Sequence, residues 1–202
     1  EVGIDIAEEP VEIAPAAHTS LGGILIRPDG ATNIAGVYCA GEAAGGIHGA
    51  NRLGGNAGLE TLVFGRRAGR EMFRQLSAPG NQEKRCPLTD ARQAEILAEW
   101  NNPQGEQAIG SGRLGELREK MQTILQKDLG VIRSADGLQE AKLALWNMYE
   151  TLKKSVCGEE KYEKTRLEND VLCAALLASA ASARTKSSGC HIREDSSGEG
   201  DY

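Results

Sequence analysis

Apolar residues follow two different rhythms along the chain, and the change between them divides it into two halves. In residues 1–76, short apolar runs such as 24–26 and 36–40 alternate with Gly-rich and polar segments, which predicts short strands joined by turns. From about residue 90 onward, apolar positions recur every three or four residues, the spacing of an amphipathic helix. The sequence therefore predicts an α+β chain with a strand-and-turn half followed by a helical half.

The helical spacing predicts five helices. The first, residues 56–76, closes the strand-rich half, and its Gly65 and Gly69 lie four apart on one face, where they permit close approach of a sheet or a cofactor. The others are expected at about residues 90–100, 114–129, 138–156 and 163–185. Their apolar stripes are typical of the core of an antiparallel helical bundle, and nothing in them indicates a cofactor site.

Composition marks the expected domain boundaries. Residues 1–76 form the first region, residues 77–87 a linker containing Pro, Gly and charged residues, and residues 88–185 the helical domain. Residues 186–202 form an acidic C-terminal tail with little apolar content. We expect this tail to be exposed or to be ordered by a partner.

Charge and cysteine content exclude several classes of protein. The 202 residues include 23 Lys and Arg against 29 Asp and Glu, and the net charge of −6 does not attract nucleic acid or an anionic membrane surface. No apolar run approaches the roughly 20 residues of a membrane-spanning helix. The five cysteines are scattered without a C-x-x-C pair. A zinc site, an iron–sulfur cluster and a disulfide framework are therefore not expected, and a reducing cytoplasm fits best.

Two further expectations concern individual positions. Cys39 and Cys173 lie in apolar surroundings and are predicted to be small core residues. The chain begins at Glu1 without Met or the pattern of a signal peptide, so we expect it to be part of a longer protein.

Candidate chemistry is concentrated between residues 16 and 67. A short apolar strand there ends in Gly41-Glu42. A carboxylate at the C-terminal end of a strand in a nucleotide-binding domain can accept hydrogen bonds from sugar hydroxyls, and the preceding glycine leaves room for a ligand. The same pattern is also typical of an ordinary turn, so both interpretations of Glu42 stay open.

A Gly-rich loop follows, with six glycines among the fourteen residues 45–58. Backbone amides of such a loop, with the helix N-terminus after it, can stabilise negative charge, and Arg52 has a planar fork that suits a carboxylate or phosphate. A flexible loop with one surface arginine explains the pattern equally well. The G-K-[ST] ending of a phosphate-binding loop is missing, which argues against a nucleoside triphosphatase. Upstream, His18 is either an anion ligand or a structural residue.

In this order, the clusters resemble the family that contains the flavoprotein subunits of succinate dehydrogenase and fumarate reductase and L-aspartate oxidase. Residues 48–56, His-Gly-Ala-Asn-Arg-Leu-Gly-Gly-Asn, are similar to its most specific signature, and residues 188–195 resemble its closing segment. The resemblance covers nearly the whole chain. It implies the C-terminal piece of an FAD-binding α/β domain followed by an antiparallel helical bundle domain.

The resemblance implies a role for each matching residue. Glu42, after Gly41, would bind hydroxyls of the ribityl chain or ribose of the flavin cofactor. Arg52 and His18 would each hold one carboxylate of a C4 dicarboxylate lying on the flavin. The backbone at the start of the first helix would face the flavin ring and stabilise its negative charge; these residues are Asn56, Ala57, Gly58 and Leu59. No catalytic residue is expected here, because the proton-donating arginine would belong to a capping domain outside this chain.

The implied activity is FAD-dependent hydride exchange with succinate or fumarate. FAD is expected in the intact protein and not on this fragment, because the N-terminal dinucleotide fingerprint and the capping domain would precede it. Thr19, Ser20 and Leu21 replace the family's usual Tyr-Thr-Met, which leaves an L-aspartate oxidase or another small-acid flavoenzyme as alternatives. A third alternative is a helical docking module for an iron–sulfur or other redox subunit. The expected location is cytoplasmic, or peripheral on the inner membrane through such a subunit.

Overall fold

The computed structural model describes residue 5, residues 7–11, residue 13, and residues 16–79, 89–101, 105, 107–158 and 160–196. The chain divides into two compact units, Glu1–Ser77 and Ala78–Tyr202. The described residues form five α-helices and three two-stranded parallel sheets, which confirms the helix-rich α+β class. Most of the predicted linker lies outside the described residues.

The first unit is built from short strands and one long helix. Strand β1 (Ile24–Leu25) pairs in parallel with β2 (Ala44–Gly45), a 3-10 turn (Gly41–Ala43) leads into β2, and helix α1 (Asn56–Ser77) follows. The predicted helix over residues 56–76 is therefore confirmed to within one residue.

The loop between the strands differs in part from its prediction. The predicted turn at residues 28–30 is present, and Gly30 lies at φ +81° with its N–H donating to the Arg27 carbonyl at 2.8 Å. The predicted strand over residues 36–40 is wrong. Gly36 turns the chain at φ +80°, and only Tyr38 makes a single antiparallel bridge, to Ala31.

Helix α1 leaves most of its apolar residues exposed within the described part of the chain. Leu62 and Phe73 are each 74% exposed, while the buried residues of the helix are Glu60 and Ala68. A Cβ added at Gly65 or Gly69, like one at Gly58, would meet no atom within 4 Å. The close approach expected at the face of these glycines is therefore not made by the described residues of this chain.

The second unit contains the remaining helices. They are α2 (Asp90–Asn101), α3 (Ser111–Asp128), α4 (Ala135–Lys153) and α5 (Lys161–Ala183). Two-residue strands join the helices: β3 (Gln107–Ala108) pairs with β5 (Ser155–Val156), and β4 (Ile132–Arg133) with β6 (Ile192–Arg193). None of the described helices combines the length and the apolar character that a bilayer crossing requires.

Helices α3, α4 and α5 pack around one apolar core, as their stripes predict. Leu145, Leu152, Leu167 and Val171 are completely buried in it. On α5 the buried positions are mostly alanine, which permits the helices to approach closely; these residues are Ala174, Ala175, Ala178 and Ala181.

Two apolar positions on α5 do not face the core, although Cys173 was predicted to be a core residue. Leu177 is 52% exposed, and Cys173 is exposed as well. These residues are four apart and therefore share a face of the helix, which is not the face that Leu167, Val171 and Ala178 turn towards the core. Cys39 is half-buried.

The C-terminal tail, predicted to be exposed or ordered by a partner, is instead paired with β4 through residue 195. Arg193 and His191 are each only 7% exposed. Arg193 donates to both carboxylate oxygens of Asp195 at 2.7 Å, and Asp195 accepts from the backbone N–H of Ala135 at 2.9 Å. Because these polar groups satisfy one another, the segment can be buried without apolar residues.

Candidate active site

A cavity of about 240 Å³ lies in the first unit, beside the N-terminus of α1. The segment before β1, the 3-10 turn, the Gly-rich loop and α1 all contribute to its lining. Its polar side chains are those of Thr19, Ser20, Glu42, His48, Arg52, Glu60 and Thr61. Among the described residues, no group of three or more His, Cys, Asp or Glu side chains is placed to bind a metal ion.

Glycine allows the two strands beside the cavity to approach each other. A Cβ at Gly23 would collide with the Ala43 carbonyl oxygen, and one at Gly45 would lie 2.9 Å from the Gly23 nitrogen. This approach brings Glu42 to the segment before β1, where its Oε1 accepts from the backbone N–H of Ser20 at 2.8 Å. The carboxylate of Glu42 is therefore fixed at the edge of the cavity.

The N-terminus of α1 forms a second side of the cavity. Ala57 and Gly58 line it, and the first turn of this 22-residue helix has no acidic residue to oppose the positive end of the helix dipole. The open space around Gly58 leaves its backbone accessible. This end of the cavity therefore favours a negatively charged group.

Two buried polar atoms in the cavity have no hydrogen-bond partner among the described residues. They are Nε of Arg52 and Oε1 of Glu60. The other carboxylate oxygen of Glu60 lies 3.3 Å from Nε2 of His48, and the side chains of Glu60 and His48 are only 5% and 15% exposed. Because buried polar atoms are rarely left unsatisfied, these two atoms are candidates for contact with a ligand, a water molecule or another part of the protein.

Comparison with protein families identifies what this arrangement belongs to. Residues 1–57 match the family model described as FAD binding domain, and residues 118–201 match the one described as fumarate reductase flavoprotein C-term. The chain belongs to this flavoprotein family. The assignment confirms the resemblance seen in the sequence.

Individual relatives cover almost all of the chain. It is 35% identical to a fumarate reductase (CoM/CoB) subunit of Methanothermobacter marburgensis, across 96% of this chain and 35% of that protein. It is 37% identical to L-aspartate oxidase of Mycobacterium leprae, across 94% of this chain and 31% of that protein. It is 32% identical to the mitochondrial succinate dehydrogenase flavoprotein subunit of Oryza sativa, across 96% of this chain and 33% of that protein.

Solved structures of the family share the fold. A quinol–fumarate reductase with menaquinol molecules superposes with a TM-score of 0.80 at 27% identity, covering 98% of this chain and 35% of that one. The Mycobacterium smegmatis Sdh1 complex in its apo form superposes with a TM-score of 0.75 at 28% identity, covering 95% of this chain and 33% of that one. The chain thus spans 31–35% of the length of these relatives.

The residues around the cavity fit part of an FAD site in a protein of this family. The helix N-terminus and Arg52 provide positive potential, Glu42 provides an acceptor for hydroxyls, and Gly58 leaves space for a ring system. A cavity of about 240 Å³ is smaller than the roughly 300–1,000 Å³ of sites that enclose a drug-sized ligand. The described residues therefore supply one side of such a site rather than an enclosed one.

The structure brings together four of the residues predicted from the sequence. Glu42, Arg52, Ala57 and Gly58 line the same cavity. The remaining predicted residues lie nearby without lining it: Gly41 is buried at φ +78°, Asn56 is half-buried, and both Leu59 and His18 are exposed.

Sequence reasoning assigned no role to several residues that line the cavity, among them His48, Glu60 and Thr61. One signal was available for Glu60, which interrupts the apolar start of α1 between Leu59 and Leu62. A carboxylate in a helix is by default expected to face solvent, so this signal alone does not place it in a cavity.

A literal G-x-G-x-x-G also occurs at residues 110–115, where the chain enters α3. The dinucleotide fingerprint depends on a strand in an open parallel sheet immediately before it. Here the preceding β3 has two residues and, within the described ranges, pairs only with the two-residue β5. The match therefore lacks the setting in which this motif binds a nucleotide.

Proposed function

We propose that this chain is the part of an FAD-dependent oxidoreductase that binds one carboxylate of a C4 dicarboxylate next to the flavin, in an enzyme that interconverts succinate and fumarate. The observation that carries the proposal is Arg52. Its buried Nε is unpaired in the part of the chain that the structure describes, and it lines a cavity at the N-terminus of α1. Two relatives, one named as a fumarate reductase and the other as the flavoprotein of a succinate dehydrogenase, support the choice of substrate.

In this proposal the chain contributes binding and electrostatics. Arg52 binds a substrate carboxylate through its planar fork and orients the neighbouring carbon–carbon bond. The backbone at Ala57 and Gly58 stabilises negative charge through the helix dipole, and Glu42 accepts hydrogen bonds from cofactor hydroxyls. FAD, when bound, supplies the redox chemistry by exchanging a hydride with the substrate. His18 would bind the second carboxylate, which requires it to turn from its exposed position towards the cavity.

A second candidate substrate is aspartate. The L-aspartate oxidase of Mycobacterium leprae is 37% identical to this chain, and residues 19–21 depart from the family's usual Tyr-Thr-Met, so this segment does not single out succinate or fumarate. Assays with succinate, fumarate and L-aspartate side by side separate the two candidates.

The proposal extends to partners and location. Two relatives are named as subunits, which supports assembly with an iron–sulfur or other redox subunit, in the cytoplasm or at the inner membrane through that subunit. Exposed apolar side chains on the second unit offer a surface for such a subunit, among them Leu143 and Leu176, which are 55% and 54% exposed.

The decisive variant is Arg52→Gln in the full-length protein. Gln carries no charge, so the substrate carboxylate is left unpaired at a cost of roughly 2–5 kcal/mol, or about two to four orders of magnitude in kcat/KM. Arg52→Lys should also be poor, because a point charge does not reproduce the fork. The matched control is Arg27→Gln, whose side chain is 66% exposed. Near-normal turnover of succinate and fumarate by Arg52→Gln would refute the role of Arg52.

The cofactor is tested separately. Residues 1–202 provide one side of the proposed flavin site, so the purified chain should not retain FAD tightly, and its visible spectrum should lack a flavin band. Glu42→Ala in the full-length protein should lower flavin occupancy before it affects turnover per bound flavin. A stoichiometric flavin band in the purified chain would contradict this division of the site.

A further inference from the structure

The loop that carries Arg52 has little packing of its own. Gly46, Gly49 and Gly55 lie at φ +90°, +61° and +83°. A Cβ added at Gly49, Gly54 or Gly55 would meet no atom within 4 Å. Glycine-rich backbone with open surroundings has high conformational freedom. A fixed arginine fork in such a loop therefore requires a contact that holds the loop in place.

The structure shows such a contact four residues before Arg52. His48 Nε2 lies 3.3 Å from Oε2 of Glu60, and Glu60 belongs to α1, which is regular from Asn56 to Ser77. With the Nε2–H donating to the carboxylate, the imidazole joins the loop to the helix. Both side chains are largely buried, and burial makes such a contact stronger than one on the surface.

We propose that His48 and Glu60 form a tether that positions Arg52 for its anionic ligand. The inference rests on the proposed function, in which that ligand is a substrate carboxylate. His48 and Glu60 are positioning residues, since they act through the loop that holds the arginine. Glu60 is suited to this task because its side chain is 5% exposed and extends from a rigid helix into the cavity that Arg52 also lines.

The unpaired atoms support the same assignment. Oε1 of Glu60 and Nε of Arg52 are buried in one cavity, yet neither forms a hydrogen bond within the described residues. Glu60 therefore does not neutralise Arg52 by pairing with it directly, and the guanidinium remains available to an anion. A carboxylate placed only to balance the arginine would be expected to bind it.

A double-mutant cycle in the full-length flavoprotein tests the tether. The ligand is malonate, a dicarboxylate with a single methylene group. It has no CH–CH bond that hydride transfer could convert into a double bond, so it binds without reacting. Its Kd is measured by calorimetry. Glu60→Leu, which keeps similar volume without an acceptor, should raise the Kd about tenfold, the effect of one charge-assisted hydrogen bond. Glu60→Gln retains an acceptor oxygen for His48 and should stay within about threefold.

The cycle is completed in the Arg52→Gln background. There Glu60→Leu should change the Kd by less than about twofold, because the residue whose position it controls is gone. An equal loss in both backgrounds would overturn the proposal, since a structural effect independent of Arg52 is additive. His48→Leu severs the tether from its other end and should reproduce the result if Glu60→Leu does not fold.

A ligand-free measurement separates failure of the tether from failure of the proposed function. Amide hydrogen exchange of residues 46–55 should be faster in Glu60→Leu than in the unaltered protein. If succinate and fumarate are not turned over and malonate does not bind, but this exchange accelerates, the proposed substrate is wrong while the tether stands. If the exchange is unchanged, the tether is overturned whatever the substrate proves to be.

Discussion

The buried histidine of the C-terminal tail should make the second unit sensitive to mild acid. His191 Nδ1 accepts from Nη1 of Arg133 at 2.9 Å, and its Nε2–H donates to the Arg184 carbonyl at 3.0 Å. This pattern requires the neutral imidazole, because a proton on Nδ1 would point at a guanidinium. Burial lowers the pKa of His191 below its ordinary value of 6.5, and the nearby arginines, including Arg193, act in the same direction.

The sign and size of the effect follow from proton linkage. The unfolded chain binds a proton at His191 more readily than the folded chain. The contribution of neutral His191 to the free energy of unfolding is therefore complete above pH 6.5 and is lost as the pH falls below that value. At pH 5.0, which is 1.5 units below 6.5, the pH difference alone limits the loss to at most about 2 kcal/mol. Asp195 does not change its charge in the folded protein between pH 7.5 and 5.0, because its hydrogen bonds with Arg193 lower its pKa to about 2.

Urea unfolding at pH 7.5 and 5.0, followed by tryptophan fluorescence, measures this loss. Both tryptophans, Trp100 and Trp146, lie in the second unit, and His191 is the only histidine there. The control is His191→Gln, since an amide can accept from Arg133 and donate to the Arg184 carbonyl without titrating. If the unaltered chain and His191→Gln lose equal stability between the two pH values, the reasoning is refuted.

Two further predictions concern packing and backbone conformation. Leu145→Ala should cost roughly 2–5 kcal/mol in the same urea assay, because the side chain is completely buried, whereas Leu143→Ala, 55% exposed on the same helix, should cost less than about 1 kcal/mol. Gly30→Ala should destabilise the first unit by about 1–3 kcal/mol, because φ is +81° and the new Cβ would lie 2.9 Å from a neighbouring side chain. Gly36→Ala has similar φ and open surroundings, so it should cost only about 1–2 kcal/mol; hydrogen exchange in residues 16–77 measures both.

Periodicity predicted the helices of the second unit because the residues that form their stripes are also the residues that are buried. All five apolar positions of the α4 stripe are buried; they are Leu138, Ala141, Leu145, Met148 and Leu152. The predicted start was three residues late, at 138 rather than 135. The three residues before Leu138 carry no large apolar side chain, and the helix start is stabilised instead by Ser134, whose Oγ accepts from the N–H of Gly137 at 3.1 Å.

Polar contacts between distant parts of the chain were not predictable in the same way. The pairing of residues 132–133 with 192–193 is accompanied by side-chain hydrogen bonds of His191, Arg193 and Asp195. None of these residue types indicates burial by itself. His191 and Asp195 have partners in a distant segment, Arg133 and Ala135, which lie 58 and 60 residues earlier in the chain. A pattern of apolar and polar positions cannot report such contacts, because it records the environment of each residue and not the identity of its partner.

In the candidate site, too, some residues were predicted from the sequence and others were not. Glu42, Arg52 and the start of α1 were predicted together because the resemblance to the flavoprotein family implies a role for each of them. Their local patterns left other interpretations open, and the strand expected before Glu42 is not formed. His48 is the first residue of the signature and Glu60 follows four residues after its end, but neither received a role. Their contact spans twelve residues, and only the folded loop shows that it could control the position of Arg52.

Helix α1 has an apolar face that the described residues of this chain do not cover. On α4 the apolar stripe is covered by α3 and α5, whereas on α1 the described residues leave Leu62 and Phe73 74% exposed. Gly65 and Gly69 lie between them on open surface. Relatives that match this chain are nearly three times as long. Together these facts support the proposal that other parts of the longer protein cover the apolar face of α1 and complete the proposed flavin site.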